Sequence, residues 1–354
     1  MCNAAKKAII EHLDDFGNPS SAYEFGRKSR LLIEDARERI AKCINAEPDE
    51  IYFTSGGSEA NTWALYRKDV LASNIEHHSV VPDGIFRVNN DGFVDPDVLN
   101  ISAENYSEIM WDIFDLAIVC TMVNNEIGTI QPIKDIVQVS HNYKAKHHVD
   151  AVQAVGHIPV DVKELGVDTL SASGHKFGSP KGIGFLYIKS GTTIDKFIKG
   201  GAQERELRGG TENVLGIVSM AAALEDAVEH MEERNAYIKS LRDKMLEKLL
   251  EIPGSHLNGS LKNRVVSNIN IRFDGIYGQQ LVALCDLYGI CISTGSACNE
   301  GTPTPSHVLK AIGLSDEEAL NSIRITIGHT NTEEEINQAA NIIIKLVERM
   351  RENE

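Results

Sequence analysis

The chain has 354 residues, 42% of them hydrophobic and 24% charged, which is room for about two domains and the composition of a globular protein, not a disordered or fibrous one. With 35 basic against 51 acidic residues the formal charge is −16, and a chain that acidic repels a phosphate backbone, so nucleic acid is not expected as a partner. The start, Met1 to Lys7, lacks the apolar core of a signal peptide, and no stretch approaches about 18 consecutive apolar residues, so a cytoplasmic protein with no membrane partner is expected.

In chain order, Ala22 to Asn45 reads as an amphipathic helix with Leu31, Leu32, Ala36 and Ile40 on one face. The turn Phe16-Gly17-Asn18-Pro19-Ser20-Ser21 precedes it. Glu50 to Thr54 is a short strand that runs into Ser55-Gly56-Gly57-Ser58, where a helix begins. A strand, a glycine-rich turn and a helix start together form an anion-binding construction. Further strands are expected at Leu116–Cys120, at His147–Ala151, at Thr169–Ala172 and at Gly184–Ile188, with a helix from Asp135. Such alternation implies an α/β fold with a mainly parallel sheet covered on both faces, whose ligands bind beyond the carboxyl ends of the strands. After Leu215 one long helical stretch reaches Leu249. Strands at Val265–Ile271 and Ser322–Ile327 and a final helix Glu333–Met350 then suggest a smaller α+β domain. The expected division is 12–245 for the large domain and 246–354, joined by residues 1–11, for the small one.

Six cysteines are too sparse for a disulfide framework, and none forms a Cys-x-x-Cys pair. Cys2, Cys43, Cys120, Cys285 and Cys291 are expected as small buried apolar residues. His77-His78 and His147-His148 raise the question of a metal, but neighbours on a strand point to opposite faces, so each pair offers at most one ligand and no metal is expected. Lys176 stands in Ser173-Gly174-His175-Lys176, a small-residue turn just after a strand. A lone lysine is ordinarily a surface charge, whereas one desolvated on such a turn has a lowered pKa and is available as a nucleophilic amine. Asp150 ends a strand, and Gln153 follows three residues on. Pyridoxal phosphate needs a carboxylate against its ring nitrogen, and an amide can steady its phenolate oxygen. The plainer use of Asp150 is to cap the next helix.

Read together, the segments Phe16–Ser21, Thr54–Asn61, Glu76-His77-His78, Val123-Asn124-Asn125-Glu126-Ile127-Gly128, His148–Gln153, Ser173–Lys176, Arg208-Gly209-Gly210-Thr211, Ser293–Cys298 and Ser322–Ile325 resemble, in order, the NifS/IscS cysteine desulfurases. The resemblance implies the pyridoxal-phosphate-dependent transferase fold, a homodimer, and conversion of L-cysteine to alanine with the sulfur held as a persulfide. It implies that Lys176 carries the cofactor, that Asp150 and Gln153 hold its ring nitrogen and phenolate oxygen, and that His77 stacks on its face. Gly57, Ser58, Ser173 and His175 would hold the phosphate, with Thr211 reaching across from a second subunit. Asn125 and Arg324 would bind the substrate, the arginine fork matching a carboxylate. Cys298 would accept the sulfur and pass it to an acceptor protein, such as an iron–sulfur scaffold or a tRNA-thiolation carrier.

Two departures from the pattern stand out. The Asp-Asn-Ala-Ala-Thr-Thr-like opening of the family is not present ahead of Phe16, where Asn3-Ala4-Ala5 runs into Lys6-Lys7. Tyr66 to Ser73 and Gly84 to Asn90 are also short, with little room for a full strand and helix. These keep open a cofactor-binding homologue of weak activity. A transaminase or selenocysteine lyase of the same fold is the other enzymatic alternative, and an acidic binding scaffold the non-enzymatic one.

Overall fold

A computed structural model describes residues 1–109, 115–295 and 304–352, and divides the chain into two units. The first comprises Met1–Phe86, Pro96–Met122 and Pro132–Met231. Its seven-stranded sheet is built from β1 (Ile51–Thr54), β2 (Asp69–Ser73), β3 (Gly84–Phe86), β4 (Leu116–Thr121), β5 (Lys146–Asp150), β6 (Thr169–Ser173) and β7 (Gly184–Ile188), in the order β1-β7-β6-β5-β4-β2-β3. Only β7 runs against the others, pairing antiparallel with β1 and β6. The remaining pairs are parallel. Every residue of β4, β6 and β7 is buried, as expected where helices cover both faces of a sheet. The helix Gly57–Ala64 packs against β1, β5, β6 and β7, and its Trp63 and Ala60 lie with Leu186 and Ile188 in one apolar cluster.

The short region after this helix holds more structure than the sequence suggested. A turn at Leu65–Lys68, with Arg67 at φ 58°, leads directly into the five residues of β2. From there Asn74 to Asp83 return the chain to the parallel neighbour β3 without a helix, Leu71 lying opposite Gly84. Glu76 and His77 therefore sit in this connection and not on a strand.

The second unit comprises Arg87–Asp95, Val123–Gln131 and Glu232–Glu354. Strands β8 (Ser255–Leu257), β9 (Asn268–Phe273) and β10 (Ser322–Thr326) form an antiparallel sheet in the order β10-β9-β8. Its core joins Ile269, Ile271, Phe273, Ile323 and Ile325 to Leu241, Met245, Leu249, Ile343 and Val347 from the helices Met231–Leu250 and Glu333–Glu352.

The domain boundaries differ from those expected. The long helical stretch is two helices, Val214–Glu229 and Met231–Leu250, parted at His230, whose Nδ1 donates to the carbonyl of Asp226. The second of them buries Ile238 to Leu249 in the smaller unit's core, so the division falls near residue 231, not 245. Residues 1–11 belong to the larger unit, where the helix Asn3–Glu11 packs on Val214–Glu229 and the Cys2 N–H donates to the Gly178 carbonyl at 2.8 Å. Of the cysteines, Cys120 and Cys285 are buried as expected, Cys2 and Cys43 partly so, and Cys291 is exposed.

Candidate active site

The parallel strands of the larger unit end on one edge, and the residues singled out in the sequence follow those ends. Gly57 and Ser58 come after β1, His77 after β2, Asp150 and Gln153 at and after β5, and Ser173, His175 and Lys176 at and after β6. Asp150 is 5% exposed and lies opposite Ser171 in the β5–β6 ladder. Its Oδ2 accepts from Asn61 Nδ2 at 2.7 Å and its Oδ1 from the Val152 N–H at 3.0 Å. Burial raises its pKa, against those two hydrogen bonds and the nearby His77 and Lys176.

Gly174 to Lys176 form a single tight turn within the antiparallel connection from β6 to β7. The Gly174 carbonyl accepts the N–H groups of Phe177 and Ser179, and Gly178 takes φ 101°, a conformation costly to any residue with a Cβ. His157 Nε2 donates to the Lys176 carbonyl at 2.9 Å. The turn is built as expected, but the side chain of Lys176 is exposed in the single chain, so the expected desolvation of its amine is not found. Gln153 is half-buried in the turn after β5.

The start of the Gly57–Ala64 helix has no side-chain cap at Gly56, so its first N–H groups are available to a bound anion. Gly57 is buried, and a Cβ there would collide with Val152. A Cβ on Gly56 would come within 3.4 Å of Ser173 Oγ, so the glycine pair brings bare backbone beside that hydroxyl. Ser173 Oγ is in turn 3.0 Å from His175 Nδ1. Burial chiefly, then Lys176 and Lys181, holds the His175 pKa below its ordinary value.

Thr211 is exposed at the end of a loop fixed at several points. Glu204, Arg205 and Glu206 all have positive φ, a run that L-residues adopt only when held. The Glu204 carboxylate accepts from Arg37 at 2.9 and 3.0 Å and from the Phe53 N–H at 2.8 Å. Arg208 forks onto Glu59 at 2.8 and 3.1 Å.

Sequence reasoning passed over Glu76, treated only as part of a motif. It is buried, binds Ser73 Oγ and accepts the Thr121 N–H at 2.9 Å, and so ties the ends of β2 and β4. Burial, reinforced by the charge of Asp150, pushes its pKa up to about 8. His147 and His148 point to opposite sides of β5, toward Ser140 and Thr169 respectively, and burial pushes each down to about 3.

In the smaller unit, Asn124 Oδ1 accepts the N–H groups of Glu126 and Ile127, and Gly128 takes φ 70°, a turn that presents Asn125. Arg324 on β10 donates to the Asn125 carbonyl at 2.9 Å, and its backbone pairs with Ser293. Glu126 Oε2 accepts from Ser306 Oγ at 2.5 Å, and a Cβ on Gly295 would strike the same oxygen. The sequence expectation for Cys298 lies outside the described residues.

Residues 3–339 match the class-V aminotransferase family. The chain belongs to that family. The cysteine desulfurase IscS of Methanosarcina thermophila is 41% identical over 98% of this chain and 90% of its own. That of Dictyoglomus turgidum is 42% identical over 96% and 89%. A NifS-like protein from Rickettsia africae superposes with a TM-score of 0.88 at 33% identity, covering 99% of this chain and 96% of the other. SspA, solved in complex with cysteine, superposes at 0.77 with 31% identity, over 94% and 97%.

This class-V aminotransferase is a pyridoxal-phosphate-dependent enzyme, and its residues fit the group. Asp150 offers a buried acceptor suited to a protonated ring nitrogen. The backbone laid bare at Gly56–Gly57, with the hydroxyl of Ser173 beside it, suits a phosphate.

Proposed function

We propose that this chain is an L-cysteine desulfurase that delivers sulfur to an acceptor protein. The observation that carries the reading is the pairing of Asp150 and the Lys176 turn on the neighbouring strand ends β5 and β6, in a chain whose relatives are cysteine desulfurases. Bound pyridoxal phosphate supplies an electron sink that acidifies the Cα proton of an attached amino acid. Asp150 would hold the ring nitrogen protonated and Gln153 would steady the phenolate oxygen. Gly57, Ser58, Ser173 and His175 would bind the phosphate, and His77 would lie against the ring.

Lys176 would hold the cofactor, and its amine would be placed to take the substrate's Cα proton and return it before alanine leaves. Arg324 grips the substrate carboxylate and Asn125 orients it. The Cys298 thiolate attacks the substrate sulfur: an S–S bond forms, the C–S bond breaks, its electron pair is protonated, and alanine leaves with the persulfide on Cys298. The acceptor is a thiol protein of the iron–sulfur scaffold or tRNA-thiolation kind. In this reading the enzyme is a cytoplasmic homodimer. Thr211 completes the phosphate site of the second copy, and the exposed Phe16, Tyr23, Phe25 and Leu31 supply apolar surface for such an interface.

The test is alanine and sulfide formation from L-cysteine by the yellow holoenzyme. Lys176→Ala abolishes alanine, and Cys298→Ala abolishes persulfide transfer with the cofactor still bound. Wild-type holoenzyme that forms neither product refutes the reading.

A further inference from the structure

One side chain given no role so far touches Asp150 directly and reaches His77 through a single serine. Asn61, in the Gly57–Ala64 helix, is 1% exposed. Its Nδ2 is 2.7 Å from Asp150 Oδ2 and 2.8 Å from Ser79 Oγ, and its Oδ1 is 3.0 Å from His148 Nε2. The line continues at both ends, from His148 Nδ1 to Thr169 Oγ1 at 2.9 Å and from Ser79 Oγ to His77 Nδ1 at 2.8 Å.

The donors in this line can be assigned by elimination. A carboxylate only accepts, so the Asn61 NH2 faces Asp150 and its oxygen faces His148. His148 therefore carries its proton on Nε2, and its Nδ1 accepts from the Thr169 hydroxyl. The second amide hydrogen of Asn61 goes to Ser79 Oγ, which turns the Ser79 O–H toward His77. His77 Nδ1 also accepts the Ser79 backbone N–H at 3.1 Å. With two donors aimed at Nδ1, the proton of a neutral His77 resides on Nε2.

We propose that Asn61 is a positioning residue that locks the Asp150 carboxylate and the His77 imidazole to one another, and through Ser79 sets which nitrogen of His77 bears the proton. The chemistry gains two coupled elements: a ring-nitrogen partner held in place, and a histidine of fixed tautomer on the cofactor face. Packing alone would require neither a directional chain nor an amide whose three hydrogen-bonding groups are all engaged. The inference rests on the proposed roles of Asp150 and His77, but it is tested without the cofactor.

In cofactor-free protein labelled with 15N-histidine, His77 is identified by the loss of its signals in His77→Gln. Wild-type His77 shows a pyridine-type Nδ1 and a pyrrole-type Nε2. In Asn61→Ala both signals move toward a tautomer average. Ser79→Ala does the same while leaving the buried Asn61–Asp150–His148 part intact. In the holoenzyme both variants lower kcat for cysteine by about ten- to a hundredfold with KM within about twofold. His77 signals unchanged in Asn61→Ala overturn the proposal. If Asn61→Ala does not fold, unchanged signals in Ser79→Ala do so. A wild-type enzyme that makes no alanine fails the desulfurase reading while the tautomer result still stands.

Discussion

The buried ionisable groups beside the cofactor site make the stability of the cofactor-free protein a contest between opposing proton linkages. His147 and His148 have pKa values pushed from 6.5 to about 3, so they are neutral when folded and bind protons only when unfolded as the pH falls below 6.5. Their contribution is present above pH 6.5 and is lost on the way down toward 3. Glu76 is shifted the other way, from 4.5 to about 8. It holds its proton when folded and releases it on unfolding, so its contribution is present below pH 4.5 and is lost as pH rises through 8. Between pH 7 and pH 5 each histidine costs about 2 kcal/mol of stability and Glu76 restores about 2–3 kcal/mol, leaving a net loss from the three of about 1–2 kcal/mol.

Urea denaturation of the cofactor-free protein at the two pH values, followed by tryptophan fluorescence, tests this. Glu76→Gln enlarges the loss on acidification by about 2–3 kcal/mol, and His147→Asn shrinks it by about 2 kcal/mol. His157 and His175, also held below the ordinary histidine range by burial, act alongside the pair and cancel when variants are compared. Glu76→Gln with the same difference between pH 7 and pH 5 as wild type would mean that Glu76 is ionised in the folded protein, and the burial argument would fall.

Two further outcomes are expected. Arg37→Met strands the buried Glu204 carboxylate and costs about 3–5 kcal/mol in urea denaturation, whereas the double variant Arg37→Met with Glu204→Leu recovers most of the loss because an apolar pair replaces a buried ionic one. Gly57→Ala drives a methyl group into Val152. It costs about 1–3 kcal/mol and weakens retention of pyridoxal phosphate, read as faster cofactor loss on dilution.

Strands such as Leu116–Thr121 and Gly184–Ile188 were legible because an apolar run of that length between turn residues has few other uses. The three residues of β3 are too few to show any period, and Asp69 at the head of β2 follows two basic residues, so the run reads as surface. Nothing at His230 announces a helix break: no glycine or proline is there, and the division follows from two halves facing different cores. The segments Arg87–Asp95 and Val123–Gln131 fold with residues far along the chain, as in the pairing of Thr129 with Arg264, which no local pattern encodes. At the candidate site the residue types at strand ends were readable, since motif and spacing name them. The exposure of Lys176, the burial of Glu76 and the hub at Asn61 were not, because Asn61 meets Ser79, His148 and Asp150 only after the sheet has formed.

The position of β1 bears on the order in which the enzyme is assembled. It is the first strand to leave the ribosome, yet its sole neighbour is the last strand of the sheet, with Ile51 opposite Tyr187. Loop closure across so long an interval is slow, so β1 waits unpaired at an edge while the rest is synthesised. The Gly56–Ser58 turn follows it directly, so in the proposed function the phosphate site would be complete only once that last pairing is made, and capture of the cofactor would report a whole sheet.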